Sequence, residues 1–268
     1  MKWLLIPPLA YFALVVTVYV AQRSLLYLPG QRGASASELE AYGLRHWPDE
    51  AGYRGYLRDV PSAETTVVLF HGNAGEAVDR LHYVEALDFL NARLLLVEYP
   101  GYGTRTGRPS EATLLADGRE TLVRLRQAFP DGPLHVVGES LGAGVAAGVV
   151  GSKALAAPRP RIDGLVLLTP WNTLGAVAKH HYRFLPVEWL LKDRFPSARY
   201  LDDLEAMKVV VLAERDEVVP ARFGEALYEA LPAPKTRVLV DGAAHNDWFA
   251  QADRRWWREL WSRFDGRP

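Results

Sequence analysis

The sequence predicts an α/β fold: a mostly parallel central sheet flanked by helices, with a small helical cap insertion and an N-terminal transmembrane helix. Three observations carry this. Short apolar runs, each closed by glycine, proline or a polar cluster, recur along the chain. Segments with apolar residues at helical spacing lie between most of them. A long run near the start carries no charge. Continuous apolar strands that alternate with helices belong to a parallel sheet, because the crossover helices cover both of its faces.

The uncharged run is "WLLIPPLAYFALVVTVYVA", Trp3 to Ala21. It is long enough to cross a bilayer core as a helix. Pro7 and Pro8 sit near its start, where a helix tolerates proline best. A cleavable signal is the competing reading. Cleavage before Gln22 would want small residues at alternate positions, and Tyr19 occupies one of them beside Ala21. Residues 1–23 therefore read as a retained membrane anchor and 24–268 as one catalytic-sized domain. Lys2 and the amino terminus nearly balance Arg23 and Arg32, which leaves the orientation, and so the side of the membrane, open.

"RHWPDE" and "YRGYLRDV" read as an opening hairpin. "TTVVLF", "RLLLV", "LHVV", "IDGLVLL", "KVVVLA" and "TRVLV" read as successive strands, and "EATLLADGRETLVRLRQAF" as a crossover helix. "AAPRPR" is a short loop. The stretch from Asn172 to Leu204 is too long for a plain crossover and reads as short helices, a cap insertion (172–204) over one edge of the sheet. Its Tyr182, Phe184, Leu185, Trp189, Leu190, Leu191 and Phe195 are more apolar surface than a solvated loop needs. Phe184 and Trp189 are expected to line a pocket. The C-terminal "RRWWRELWSRF" sets Trp256, Trp257, Leu260, Trp261 and Phe264 at helical spacing, the pattern of a helix packed on the sheet.

Composition narrows the function. The 31 basic and 32 acidic residues leave a net charge of -1 with no basic block, so no nucleic-acid partner is expected. There is no cysteine, which removes disulfides, thiol catalysis and thiolate metal sites. No HExxH or clustered carboxylate–histidine set suggests a metal, and no GxGxxG follows the first strand. The expectation is no metal and no cofactor.

Ligands of an open parallel sheet bind outside the carboxyl ends of its strands. The residues just past the apolar runs are His71 and Asn73, Tyr99 to Gly103, Ser140, Pro170 to Asn172, Asp216 and His245. A serine, an acid and a histidine thus stand at three strand ends. In "GESLG", Gly138 and Gly142 flank Ser140 and permit a tight turn that lifts its hydroxyl out of the sheet. A serine hydroxyl is a weak nucleophile until a base takes its proton. His245 is the candidate base and Asp216 the candidate acid that orients it, with Glu217 a neighbouring alternative. An oxyanion needs preorganised N–H donors; Leu141 and Asn73 are the candidates. Tyr102 and Trp171 are candidate substrate contacts, with Tyr99 beside them. His71 reads as structural. Glu139 reads as solvated, or as tuning the pocket. His135 lies inside a strand, His46 and His82 lie off the expected face, and His180 and His181 read as polar residues of the cap.

At these residues the chain resembles the α/β-hydrolase family. Within it, the order anchor, "LLYLP", "HGNAG", "YPGYG", "GESLG", "ERDEVVP", "GAAHND" is similar to the membrane-anchored Bem46-type hydrolases, such as the ABHD13 and ABHD17 groups. The resemblance covers nearly the whole chain after the anchor. It implies the α/β-hydrolase fold, with Ser140, Asp216 and His245 as nucleophile, acid and base. It implies an esterase, lipase, thioesterase or depalmitoylase and names no substrate. With the anchor and the aromatic insertion, the expected activity is cleavage of a carboxylic ester or thioester through an acyl-enzyme, on a small-molecule or lipid acyl substrate at a membrane. Two alternatives stay open: a peptidase or amidase on the same triad, and a non-catalytic membrane-tethered binding protein.

Overall fold

The computed structural model describes residues 6–264 apart from 154, 156, 157, 159 and 160. Lys2 and Trp3, at the start of the expected anchor, lie outside the described residues, as does most of the "AAPRPR" loop. The strands are β1 (Leu28–Pro29), β2 (Leu44–Trp47), β3 (Gly55–Arg58), β4 (Thr65–Phe70), β5 (Ala74–Gly75), β6 (Ala92–Val97), β7 (Leu134–Glu139), β8 (Gly164–Leu168), β9 (Met207–Ala213) and β10 (Lys235–Val240). The helices are α1 (Ile6–Leu26), α2 (Ala36–Tyr42), α3 (His82–Ala86), α4 (Glu111–Ala128), α5 (Leu141–Gly151), α6 (Leu174–His181), α7 (Val187–Leu190), α8 (Ser197–Tyr200), α9 (Ala221–Ala230) and α10 (Arg254–Trp261).

Eight strands form one sheet in the order β10-β9-β8-β7-β4-β6-β3-β2. β2 and β3 are the antiparallel hairpin expected from "RHWPDE" and "YRGYLRDV", and β3 also runs antiparallel to β6. All other neighbours are parallel. β7 lies in the middle, between β4 and β8. Its residues are nearly all buried, as a strand covered on both faces must be.

Two cores result, one on each face. One holds α4, α5, Trp171 and the cap residues Leu174, Val177 and Phe195. The other holds Tyr83, Trp248, Trp257, Leu260 and Trp261. The C-terminal aromatic stripe therefore packs on the sheet, with Trp257 fully buried. α5 is buried along its whole length. Only glycine, alanine and valine follow its first leucine, and side chains that small let it lie close to the sheet, α4 and α8.

The stretch between β8 and β9 is three short helices, α6 to α8. Its Thr173 caps α6 by accepting from the Ala176 N–H. α1 runs 21 residues, about 31 Å at the helical rise, which matches a hydrocarbon core. The helix continues to Leu26, so the expected boundary after residue 23 falls inside it. Nor does it stand apart from the domain. Tyr11 Oη donates to the Phe184 carbonyl at 2.7 Å, and Gln22 Nε2 donates to the Leu190 carbonyl at 3.1 Å. Lys192 N–H donates back to Gln22 Oε1 at 2.8 Å. Arg23 grips Asp193 through two hydrogen bonds of 2.9 and 3.0 Å.

Candidate active site

Parallel strands deliver their following loops to one edge, and the site assembles there. Ser140 follows β7, Asp216 follows β9 and His245 follows β10. Ser140 has φ 53 and ψ -113, a conformation that L-residues rarely adopt. The flanking glycines are needed for a different reason, close approach. A Cβ at Gly138 would stand 2.3 Å from the Gly142 carbonyl oxygen, and one at Gly142 would stand 2.0 Å from that of Phe70. Any side chain there would push the turn off the sheet.

His245 Nδ1 lies 2.6 Å from Asp216 Oδ2, and His245 Nε2 lies 3.0 Å from Ser140 Oγ. An ionised carboxylate only accepts, so Nδ1 carries the proton and Nε2 accepts from the serine hydroxyl. All three residues are buried. Asp216 is fixed by its own loop: its Oδ1 accepts the Val218 and Val219 N–H groups at 2.9 and 2.6 Å. Glu217 is exposed, and its nearest link to the histidine is a 3.5 Å contact with the His245 backbone N–H. Of the two neighbouring carboxylates, the geometry joins Asp216 to the imidazole.

Asn73 and Leu141 both line the cavity beside Ser140. Leu141 opens α5, so its N–H points out of the helix start toward the serine side. The Asn73 side chain is turned away, donating to the Leu26 carbonyl at 2.9 Å, and its own carbonyl accepts from Tyr102 Oη at 2.8 Å. This leaves the Asn73 backbone N–H as the candidate oxyanion donor.

The cavity holds about 600 Å³, within the range of small-ligand sites. Its walls include Trp171, Leu174 and Val177 of the cap side, Val218 and Val219 of the acid loop, and Leu14, Val18 and Leu25 of α1. Trp171 thus lies where a substrate contact was expected. Tyr102 and Tyr99 do not. Tyr102 is 0% exposed and sits under the Asn73 loop, while Tyr99 Oη donates to the His71 carbonyl at 2.7 Å. They hold the loop from beneath because their rings fill the space between it and β6. Trp189 is also misplaced by the sequence reading: it is 87% exposed and points outside the cavity, whereas Phe184 does line it.

Glu139 is not simply solvated. Arg80 donates to both its oxygens at 3.1 Å and Tyr83 Oη donates at 3.0 Å. The carboxylate just before Ser140 is thereby held by Arg80 and by Tyr83 of α3, and burial beside this carboxylate pushes the Tyr83 phenol well above its ordinary range. His71 orders its own loop, with Nδ1 2.8 Å from the Gly72 carbonyl and Nε2 3.2 Å from Glu98. Glu98 was not singled out from sequence. It is fully buried and also accepts the Ala77 and Tyr99 N–H groups. Its signal was a lone acid directly after an apolar strand, in "VEYPGYG". The wall from α1 was missed too. Tyr11, Leu14, Val18, Gln22 and Leu25 recur every three or four residues, but a uniformly apolar helix hides such a face.

Residues 65–205, from β4 through the cap, match the family described as the alpha/beta hydrolase fold. The chain belongs to the α/β-hydrolase family. Among curated proteins it is 34% identical to the uncharacterized protein Rv2307c of Mycobacterium tuberculosis (strain ATCC 25618 / H37Rv), over 90% of this chain and 88% of that protein. It is 29% identical to the lysophosphatidylserine lipase ABHD12 of Danio rerio over 68% of this chain, and the match spans 51% of that lipase. With the alpha/beta hydrolase domain-containing protein 17B of Xenopus laevis it shares 30% identity over 72% of this chain and 64% of that protein. Among solved structures, an esterase of Pyrococcus furiosus superposes with a TM-score of 0.64 at 17% identity, covering 89% of this hydrolase and 97% of that chain. A monoacylglycerol lipase of Paleococcus ferrophilus gives 0.52 at 19% identity, over 75% and 92% of the two chains. Of these proteins, one relative is named a lipase, and the two solved structures are named an esterase and a lipase.

Proposed function

We propose that this α/β-hydrolase cleaves carboxylic esters or thioesters through a Ser140–His245–Asp216 triad, with α1 as its membrane anchor. The observation that carries this is the continuous chain from Asp216 Oδ2 to His245 Nδ1, 2.6 Å, and from His245 Nε2 to Ser140 Oγ, 3.0 Å, opening on an apolar cavity. Ser140 Oγ attacks the carbonyl carbon while His245 Nε2 takes its proton. The oxyanion that forms accepts from the Asn73 and Leu141 N–H groups. When the tetrahedral intermediate collapses, the bond from carbon to the leaving oxygen or sulfur breaks, and His245 returns the proton to that leaving group. A water, deprotonated by the same nitrogen, then adds to the acyl-serine and releases the acid. Asp216 holds the tautomer and stabilises the imidazolium.

The mostly apolar walls favour an apolar acyl group. The lipases among the relatives and neighbours support a lipid ester as substrate. Ser140→Ala tests the assignment. It is expected to abolish labelling by an alkyl fluorophosphonate and to lower p-nitrophenyl ester hydrolysis by several orders of magnitude. Labelling of that variant at the wild-type level overturns the triad and with it the enzyme reading. A parallel panel of aminoacyl amides separates the ester reading, in which these amides are left intact, from a peptidase, which would hydrolyse them at a substantial rate.

A further inference from the structure

From the way the anchor borders the cavity, we infer that α1 is the acyl-binding wall of the site as well as its tether. The acyl chain of a bilayer-resident ester lies along the Leu14, Val18 and Leu25 stripe and reaches Ser140 from within the leaflet. This rests on Ser140 as nucleophile and on α1 as a membrane-spanning helix.

The two faces of α1 differ in their surroundings. Leu14, Val18, Gln22 and Leu25 stand three or four residues apart, hence on one face, and all four line the cavity. The other side presents Leu9, Phe12 and Val20, each more than half exposed and apolar, as a lipid-facing surface would be. The stripe also has a direction. Leu26, at its carboxyl end, accepts from the Asn73 side chain of the oxyanion loop. Leu14 lies 12 residues back, about 18 Å farther along the helix. The cavity therefore begins at the triad and runs up the anchor, away from the sheet.

The cap follows the same path. Its Phe184 carbonyl accepts from Tyr11, near the far end of the stripe, while Leu190 and Lys192 contact Gln22 nearer the triad. A cap held to this length of a spanning helix lies at leaflet depth. Its outer edge suits that position, since Tyr182, Phe184 and Trp189 are all exposed there, and aromatic side chains favour the membrane interface. Leu14 is 43% exposed although it lines the cavity, so the seam between α1 and the cap is open to the surroundings. A chain entering through this seam passes from one apolar medium to another and never meets water.

An alkyl fluorophosphonate with a photoreactive diazirine at the chain terminus tests this on the full chain in phospholipid nanodiscs. The probe is expected to label Ser140 and, on illumination, to crosslink to residues 14–25 of α1. Labelling at Ser140 with crosslinks confined to α9 or the acid loop overturns the path along α1 and leaves the triad standing. Absence of labelling overturns the triad and this inference together. A second measurement uses the ratio of kcat/KM for p-nitrophenyl laurate to that for the butyrate. Val18→Trp, which fills the stripe, is expected to lower the ratio at least tenfold. Val20→Trp, on the lipid side, is expected to leave it unchanged. Equal ratios in the two variants overturn the proposal.

Discussion

Two buried histidine–carboxylate pairs stand at the carboxyl edge of this sheet, and they do different things. His245 faces Asp216 through Nδ1 and Ser140 Oγ through Nε2, at the wall of a cavity. His71 faces Glu98 through Nε2 and the Gly72 carbonyl through Nδ1, beneath the Asn73 loop. Both ring nitrogens of His71 thus meet acceptor oxygens, and no nitrogen is left to take a proton from a hydroxyl. Pairing with a buried acid is common to a catalytic base and to a scaffold residue. The distinction is what the second nitrogen faces.

The largest expected effect comes from breaking the first pair. Asp216→Asn leaves room and polarity intact but offers the imidazole the wrong tautomer, so kcat for a short ester is expected to fall about 10⁴-fold. Thermal unfolding of the same variant is expected to stay close to wild type. A loss of less than tenfold would remove the parallel with a triad acid. Glu98→Gln breaks the second pair and should reverse the pattern. Each Glu98 oxygen accepts a buried backbone N–H, from Ala77 and Tyr99, so the amide NH2 of glutamine must face one of them. A buried donor left unpaired costs about 1–3 kcal/mol, and the denaturant midpoint is expected to drop clearly. Per folded molecule, kcat is expected to fall within about tenfold, because the Asn73 loop loosens while the triad persists. Should Glu98→Gln instead match Asp216→Asn in kcat with no loss of stability, the two pairs would not be separable as base and scaffold.

Glu217→Gln sharpens the first pair further. The exposed Glu217 reaches only the His245 backbone, and a surface charge contributes little, so kcat is expected to change about threefold or less.

The last effect is on stability rather than turnover and concerns Lys208, at the opposite edge, for which the described residues supply no carboxylate partner. It is fully buried at the start of β9 and donates to the Leu204 and Ala206 carbonyls. Burial pushes it down to about 8 from 10.5. The folded state therefore binds this proton more weakly than the unfolded chain. The penalty is fully present below pH 8 and is relieved as pH rises through the window between those values. The urea midpoint is expected to climb between about pH 8 and about pH 9.5, and Lys208→Met should flatten that climb. A midpoint independent of pH in both proteins would contradict it.

These differences also explain what the sequence could and could not disclose. The parallel sheet was legible because strands buried on both faces leave long apolar runs, as in "LHVV" and "KVVVLA". Ser140 was legible because two close approaches to backbone demand glycine on both sides of it. Asp216 and His245 were legible by chain order at strand ends. Glu98 and Asp193 were not, because a single acid in a loop reads the same whether it is solvated or buried. Tyr102 misled for the complementary reason: its place at a strand end is that of a contact residue, yet its ring points under the loop. Trp189 misled because an apolar cap segment divides its side chains between the cavity and the outside, and spacing alone does not say which side each takes. The working face of α1 was hidden by its uniform hydrophobicity.

Asp193 has a consequence for how such chains can be rearranged. This nearly inaccessible carboxylate accepts from Arg23 and Tyr27 at the end of α1 and from the Glu111 N–H at the start of α4. The N-terminal apolar helix, the cap and α4 therefore meet at one acid, and removing α1 would take away its Arg23 partner. The hydrophobic segment is not an interchangeable address tag. A chimera bearing a foreign apolar helix of equal length would keep the hydrophobic segment, yet leave its cap unmoored. Descendants of this gene would be expected to exchange α1 and cap together, as a single heritable unit, rather than trade either one alone.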